Sequence, residues 1–206
     1  MRKLIFLGFL SIILLASCQS TSKEKTIANL KEGIKGETTA SAKYAAFATK
    51  AYEEGYDTIA KLFEAASKAE SIHAANHKKV LDSLGVQMEE FTPEFTVGTT
   101  AENLKAAIKG ESYETDTMYV KFINDAKAEK VNDAVKSFTW AIDTEKKHLD
   151  FYKKALAALE ANNESSLPSG YAVCPVCGNT YDSANIDEKC AFCQTTKDKF
   201  FYFLNY

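Results

Sequence analysis

Residues 26–37 read Thr-Ile-Ala-Asn-Leu-Lys-Glu-Gly-Ile-Lys-Gly-Glu, and residues 100–111 read Thr-Ala-Glu-Asn-Leu-Lys-Ala-Ala-Ile-Lys-Gly-Glu. Eight of these twelve positions are identical at an offset of 74. Glu70-Ser-Ile-His73 is then matched by Glu145-Lys-Lys-His148 at an offset of 75. Helical periodicity alone gives weak self-similarity, but it does not fix Lys-Gly-Glu and Glu-x-x-His at one spacing. The region is therefore a duplicated helix hairpin, each copy carrying the same polar set. Residues three apart on a helix share a face, with Cβ atoms about 5–6 Å apart. Glu70 and His73 point the same way, as do Glu145 and His148, and Glu111 and Glu114.

Working outward, apolar residues recur three and four apart from Thr26 to about Asn163, as in Leu30 and Ile34 or Ile59, Phe63 and Ala66. Helices are expected at about 26–54, 57–84, 100–127 and 130–162. Gly55 and Gly85 read as helix stops, and Thr99-Thr100-Ala101-Glu102 reads as a capping box opening the third helix. The long connection, residues 86–99, can cover about 46 Å at ~3.3 Å per residue, roughly the length of a 28-residue helix at ~1.5 Å rise. It can therefore start the third helix from the far end of the bundle. The fold expected for residues 26–163 is mainly α, a ferritin-like four-helix bundle with one long crossover.

Two Glu-x-x-His pairs, with Glu37 and Glu111 on the other helices, make the donor set of a carboxylate-bridged di-iron centre. Carboxylates bridge and neutralise two cations, and imidazole completes each coordination sphere; manganese is chemically admissible too. The competing explanation is a solvated glutamate-rich face with incidental histidines. The chain has three histidines, and two occupy equivalent positions of the repeat, which argues against it. His77, one turn past His73, reads as a supporting or surface residue. The duplication breaks where Ala40 is answered by Glu114, so the site carries one more carboxylate than its symmetry requires. One ion can then choose between an imidazole and a carboxylate as its charge changes. Tyr44, two turns after Glu37, and Tyr119, five residues after Glu114, could donate hydrogen bonds to ligand carboxylates or to bound substrate. Packing in the core is an equal explanation for Tyr119.

Glu164-Ser-Ser-Leu-Pro-Ser-Gly170 is a compositional break and is expected to be a linker. Residues 171–206 are too few to build an adequate core without a metal or disulfides. They contain Cys174-Pro-Val-Cys177 and Cys190-Ala-Phe-Cys193, a pairing that makes a tetrahedral four-sulfur site for zinc or a single iron. Disulfides are a third possibility outside the cytoplasm. At the other end, Arg2 and Lys3 precede an apolar run from Leu4 to Leu15, too short to span a bilayer. Leu15-Ala-Ser-Cys18 resembles the lipobox of bacterial lipoproteins. Residues 1–17 are thus expected to be a signal peptide, with Cys18 lipidated and 18–25 a tether to the membrane. The net charge of -3 gives no reason to expect nucleic acid as a partner.

A bundle with these motifs followed by a four-cysteine module resembles the rubrerythrin family, over about residues 26–206. The resemblance implies Glu37 and Glu111 as terminal carboxylates, Glu70 and Glu145 as bridges, and His148 on one iron. The other iron would exchange Glu114 when oxidised for His73 when reduced. Cys174, Cys177, Cys190 and Cys193 would hold a rubredoxin-type iron in a rubredoxin-like β module. The implied activity is reduction of hydrogen peroxide to water, with Glu114, His73 and Tyr44 as the residues acting in catalysis. The implied assembly is a head-to-tail homodimer in which one subunit's rubredoxin iron serves the other's di-iron centre. Two departures stand out. Ala191 and Gln194 replace the proline and glycine usual in the second cysteine knuckle. The lipoprotein signal places the chain outside the cytoplasm, beyond the family's usual carriers, so its electron donor is unidentified. The rival readings are an iron-sequestering ferritin-like protein and a structural zinc-ribbon lipoprotein.

Overall fold

The computed structural model describes residues 22–204. The expected signal peptide and Cys18 fall outside this range. Helices α1 (Glu24–Glu53) and α2 (Asp57–Ser83) form the first hairpin. The second consists of α3 (Thr100–Tyr113), a π-helical turn (Glu114–Met118), α4 (Tyr119–Ala128) and α5 (Asn132–Glu160). An irregular crossover joins the hairpins. The capping box at its end forms as expected: Thr99 accepts from the Glu102 amide, and the Glu102 carboxylate accepts from the Thr99 amide. No helix among the described residues is long and apolar enough to cross a membrane.

The third bundle helix was expected to be continuous, and it is not. Tyr44 follows Glu37 by seven residues, whereas Tyr119 follows Glu111 by eight. The π-helical turn absorbs the additional residue, so Tyr119 returns to the register of Tyr44. Two apolar clusters flank the polar layer and obey the same 75-residue relation. Phe47 packs on Phe63 in one, with ring centroids 5.4 Å apart, and Phe122 on Phe138 in the other, at 5.3 Å.

The expected tether is also shorter than its sequence suggests, because α1 begins at Glu24. The Glu129 carboxylate, at the far end of the other hairpin, accepts from the amides of Lys25 and Thr26 at 3.1 and 2.8 Å. The repeat supplies the converse contact, in which the Glu54 carboxylate accepts from the Thr100 amide at 2.9 Å. Each hairpin thus ends in a carboxylate that caps the other's first helix, satisfying amides with no partner inside the helix. Likewise, the expected linker is partly ordered structure. Glu164–Ser166 forms a 3₁₀ turn, and Glu164 Oε1 accepts from the amides of Thr58 and Ile59 at the start of α2.

The C-terminal module is a three-stranded antiparallel sheet ordered β2-β1-β3, from β1 (Gly170–Val173), β2 (Thr180–Asp182) and β3 (Phe201–Leu204). Strand β1 is buried throughout, with the Tyr171 ring 5.3 Å from that of Phe151 on α5. The module therefore packs onto the bundle rather than hanging from it.

Replacing Glu129 by alanine removes a cap of the kind worth about 1 kcal/mol. We expect a lower thermal midpoint and faster amide exchange at Lys25 and Thr26, with Thr100 unaffected. Unchanged exchange at those two amides would contradict the capping role.

Candidate metal centres

Each bundle helix turns one glutamate into a single polar layer: Glu37, Glu70, Glu111 and Glu145, none more than 1 % exposed. His73 and His148 lie in the same layer. His73 Nδ1 is 3.0 Å from Glu70 Oε2 and 2.8 Å from Glu145 Oε1. His148 Nδ1 is 3.1 Å from Glu70 Oε1 and 2.8 Å from Glu145 Oε2. Both carboxylates therefore span both histidines, one oxygen to each. The donor atoms fall into two tetrads, Glu37–Glu70–His73–Glu145 and Glu70–Glu111–Glu145–His148, each contained within 4.8 Å. They share Glu70 and Glu145, which is the geometry of two bridging ligands.

Glu37 Oε2 and Glu111 Oε2 are buried without a hydrogen-bond partner, while the Glu70 and Glu145 oxygens converge on the two imidazole Nδ1 atoms. Leaving such atoms unpaired is costly, and converging lone pairs are what a cation satisfies. The residues present fit a pair of metal ions. Where no cation is bound, protons would take over that role. Burial would lower His73 and His148, but Glu145 for the first and Glu70 for the second lead the groups that raise them, to about 10 and about 9. Burial, then the charges of neighbouring glutamates, raises Glu37, Glu111 and Glu114 well above the usual carboxylate range. Glu70 goes the other way: burial opposes ionisation, yet His148 and then His73 hold it low.

Glu114, on the π-helical turn, belongs to neither tetrad, although it is near enough for Glu145 and Glu70 to raise its pKa. The structure thus places His73 among the donors and Glu114 beside them. Tyr44 donates to Glu111 Oε1 at 2.7 Å, and Tyr119 donates to Glu37 Oε1. Each tyrosine holds the terminal carboxylate of the opposite hairpin. Behind Tyr119 stands His77, with Nε2 2.9 Å from the Tyr119 hydroxyl and Nδ1 2.7 Å from Ser137 Oγ. Burial, then the His73 charge, pushes His77 down to about 3, so it is a neutral link in a chain from Ser137 to Glu37. Its contacts are those of a supporting residue and not a ligand.

The four cysteine sulfurs also lie within 4.8 Å of one another, with Cys174 Sγ 3.4 Å from Cys193 Sγ and Cys177 Sγ 3.4 Å from Cys190 Sγ. None is in a disulfide. Hydrogen bonds from Cys174 and Cys177 push the Cys190 thiol strongly down, and in the same cluster Cys174 and Cys177 are pushed up. At the second knuckle Gln194 takes the left-handed conformation (φ 64°) that glycine adopts more easily, and its Nε2 donates to the Cys190 carbonyl at 3.1 Å.

This module docks directly on the bundle's histidines. Thr180 Oγ1 is 2.8 Å from His148 Nε2 and donates to the Gly178 carbonyl at 3.2 Å, so it accepts from the imidazole. His148 Nδ1 is thereby left for the carboxylate layer. Gly178, which has φ 80°, abuts the other histidine: a Cβ there would lie 2.3 Å from His73 Nε2. Asn76 Nδ2 donates to the Val176 carbonyl at 2.8 Å, and Lys147 Nζ to Asn179 Oδ1 at 2.6 Å. The resemblance implied that a partner's module would serve the pair; in the single chain described, the chain's own module lies against it. Sequence reasoning missed Thr180, Ser137 and Lys147, whose roles arise from this docking and from packing. The reciprocal caps Glu54 and Glu129 carried a signal, since they obey the repeat.

Fold and donor set define a ferritin-like carboxylate protein with a tetrathiolate module. The chain belongs to the rubrerythrin family, whose Rubrerythrin profile matches residues 28–156. Nigerythrin of Nitratidesulfovibrio vulgaris (strain Hildenborough) is 36 % identical over 181 residues, covering 87 % of either chain. Rubrerythrin-2 of Clostridium acetobutylicum is 33 % identical over 178 residues, covering 83 % of this chain and 92 % of that one. A solved structure of nigerythrin in a mixed-valent state matches with a TM-score of 0.78 at 36 % identity, over 92 % of this chain and 91 % of that one. An open-pore ferritin of the archaeon Archaeoglobus fulgidus shares the fold at 14 % identity, with a TM-score of 0.59 over 69 % of this chain and 88 % of that one.

Metal loading must displace the protons held on His73 and His148, so affinity should rise with pH through neutrality. At pH 7 we expect at least two protons released per chain as the bundle pair fills, one from each histidine together with those held on Glu37 and Glu111, read by titration in weakly buffered solution. Loading without proton release would contradict the assignment of these histidines as donors.

Proposed function

We propose that this chain is a peroxidase that reduces hydrogen peroxide to water at a carboxylate-bridged di-iron centre, with electrons passed from a four-cysteine iron site in the same chain. One observation carries the reading: two tetrads share both Glu70 and Glu145, and their histidines lie directly against the cysteine module. The family's chemistry supports iron, and solved structures of the relative nigerythrin include a fully reduced, all-ferrous state. When bound, the iron pair supplies Lewis acidity and the electrons of a two-electron reduction.

The residues divide the remaining work. Glu70 and Glu145 would hold both ions, while Glu37 and Glu111, positioned by Tyr119 and Tyr44, would each hold one. Thr180 anchors His148, whereas His73 Nε2 has no hydrogen-bond partner. His73 would therefore be the imidazole with less to lose by leaving, and Glu114 the spare carboxylate able to take its place. The buried layer keeps bulk water away from the reacting centre.

The test is anaerobic stopped-flow spectroscopy on the iron-loaded, reduced protein, with metal analysis. About three irons per chain are expected, two in the bundle and one on the cysteines. Peroxide should oxidise both sites within milliseconds to seconds, and Glu114→Ala should slow turnover by at least about tenfold, the scale for losing one positioned charged group. Zinc on the cysteines, or full turnover by the Glu114 variant, would overturn the proposal.

A further inference from the structure

Lys147 has no part in the scheme above, yet its surroundings are specific. It precedes the donor His148 on α5 and reaches away from the bundle into the cysteine module. Its ammonium lies 4.4 Å above the Tyr181 ring and 5.0 Å from that of Phe192, and it donates to Asn179 Oδ1 at 2.6 Å. Asn179 is fully buried. With its oxygen engaged by the ammonium, its amide nitrogen donates to the Tyr181 hydroxyl at 2.6 Å and to Cys190 Sγ at 3.8 Å. The Tyr181 hydroxyl donates to the same sulfur at 3.4 Å. Besides the other cysteines, Cys190 thus receives two side-chain hydrogen bonds, one from the amide that the ammonium engages and one from a hydroxyl held by that amide and by the Ala191 N–H. Asp143, one turn before Lys147 on α5, is engaged by Lys146 at 2.8 Å.

We propose that Lys147 is a positioning residue for electron transfer: acting through Asn179, its charge raises the reduction potential of the four-cysteine iron. The inference rests on the proposed iron occupancy of that site. Four thiolates around an iron carry net negative charge, and one-electron reduction makes the site one unit more negative with no proton taken up. A nearby cation and hydrogen bonds to sulfur therefore stabilise the reduced form more than the oxidised one. Because Lys147 belongs to the bundle and Asn179 to the module, the effect exists only while the two are docked. Docking then does two things at once: it brings the sites together and sets the driving force between them.

The experiment is an optical redox titration of the four-cysteine iron in the intact iron-loaded protein and in Lys147→Met, Lys147→Arg and Asn76→Ala. At a fixed solution potential, Lys147→Met should lower the ratio of reduced to oxidised iron about tenfold, which is 59 mV for a one-electron couple. Lys147→Arg keeps the charge and should stay within about twofold of the parent. Asn76→Ala removes the contact to the Val176 carbonyl but leaves the Lys147–Asn179 and His148–Thr180 contacts to hold the module docked, and its ratio should match the parent's. An unchanged ratio in Lys147→Met, an equal fall in Asn76→Ala, or zinc in the site would overturn the inference. If the ratio falls as expected but peroxide is not consumed, the peroxidase reading fails and this one stands.

Discussion

Four carboxylates share one water-poor layer at the centre of this bundle, and the whole structure answers to their charge. Like charges cannot be concentrated in a low-dielectric interior without compensation. The protein's own groups compensate only in part: neighbouring carboxylates raise the two imidazoles, and burial raises Glu37, Glu111 and Glu114. Several lone pairs in the layer still have no partner. Two cations placed between Glu70 and Glu145 settle the charge and those lone pairs together. The tyrosines that hold Glu37 and Glu111, and the His77–Ser137 pair behind one of them, keep the terminal oxygens aimed for that arrangement.

Duplication explains how one short hairpin builds such a layer, and its failures explain why the layer is not symmetric. Reciprocal capping by Glu54 and Glu129, and reciprocal hydrogen bonding by Tyr44 and Tyr119, lock each half to the other. The second half then gains a residue, taken up by a π-helical turn that carries Glu114. The cysteine module adds a second asymmetry from outside, gripping His148 through Thr180 but meeting His73 only with the bare backbone of Gly178. The module thus holds the two histidines unequally.

Much of this was legible before any coordinates. Glu-x-x-His and the capping box are local signals, since the helix itself fixes the relation between residues three apart. Glu37, Glu70, Glu111, Glu145, His73 and His148 could therefore be named from spacing, and the four cysteines from their pairing. What could not be read depends on contacts between distant segments. Glu129 caps a helix start 103 residues away in sequence, which moves the beginning of α1 into the expected tether. The π-helical turn is visible only as an offset that drifts from 74 to 75, a drift that straight helices would also allow in a loop. Thr180 and Lys147 look like ordinary surface residues until the module docks.

The central claim is that Glu70 and Glu145 each bridge the same two irons beneath the chain's own cysteine module. A crystal structure of the iron-loaded protein, with anomalous diffraction collected at the iron edge, tests it most directly. The account predicts two anomalous peaks in the bundle, each bound by one oxygen of Glu70 and one of Glu145, and a third peak among the four sulfurs. A single bundle peak, or two peaks that do not share both carboxylates, would contradict it.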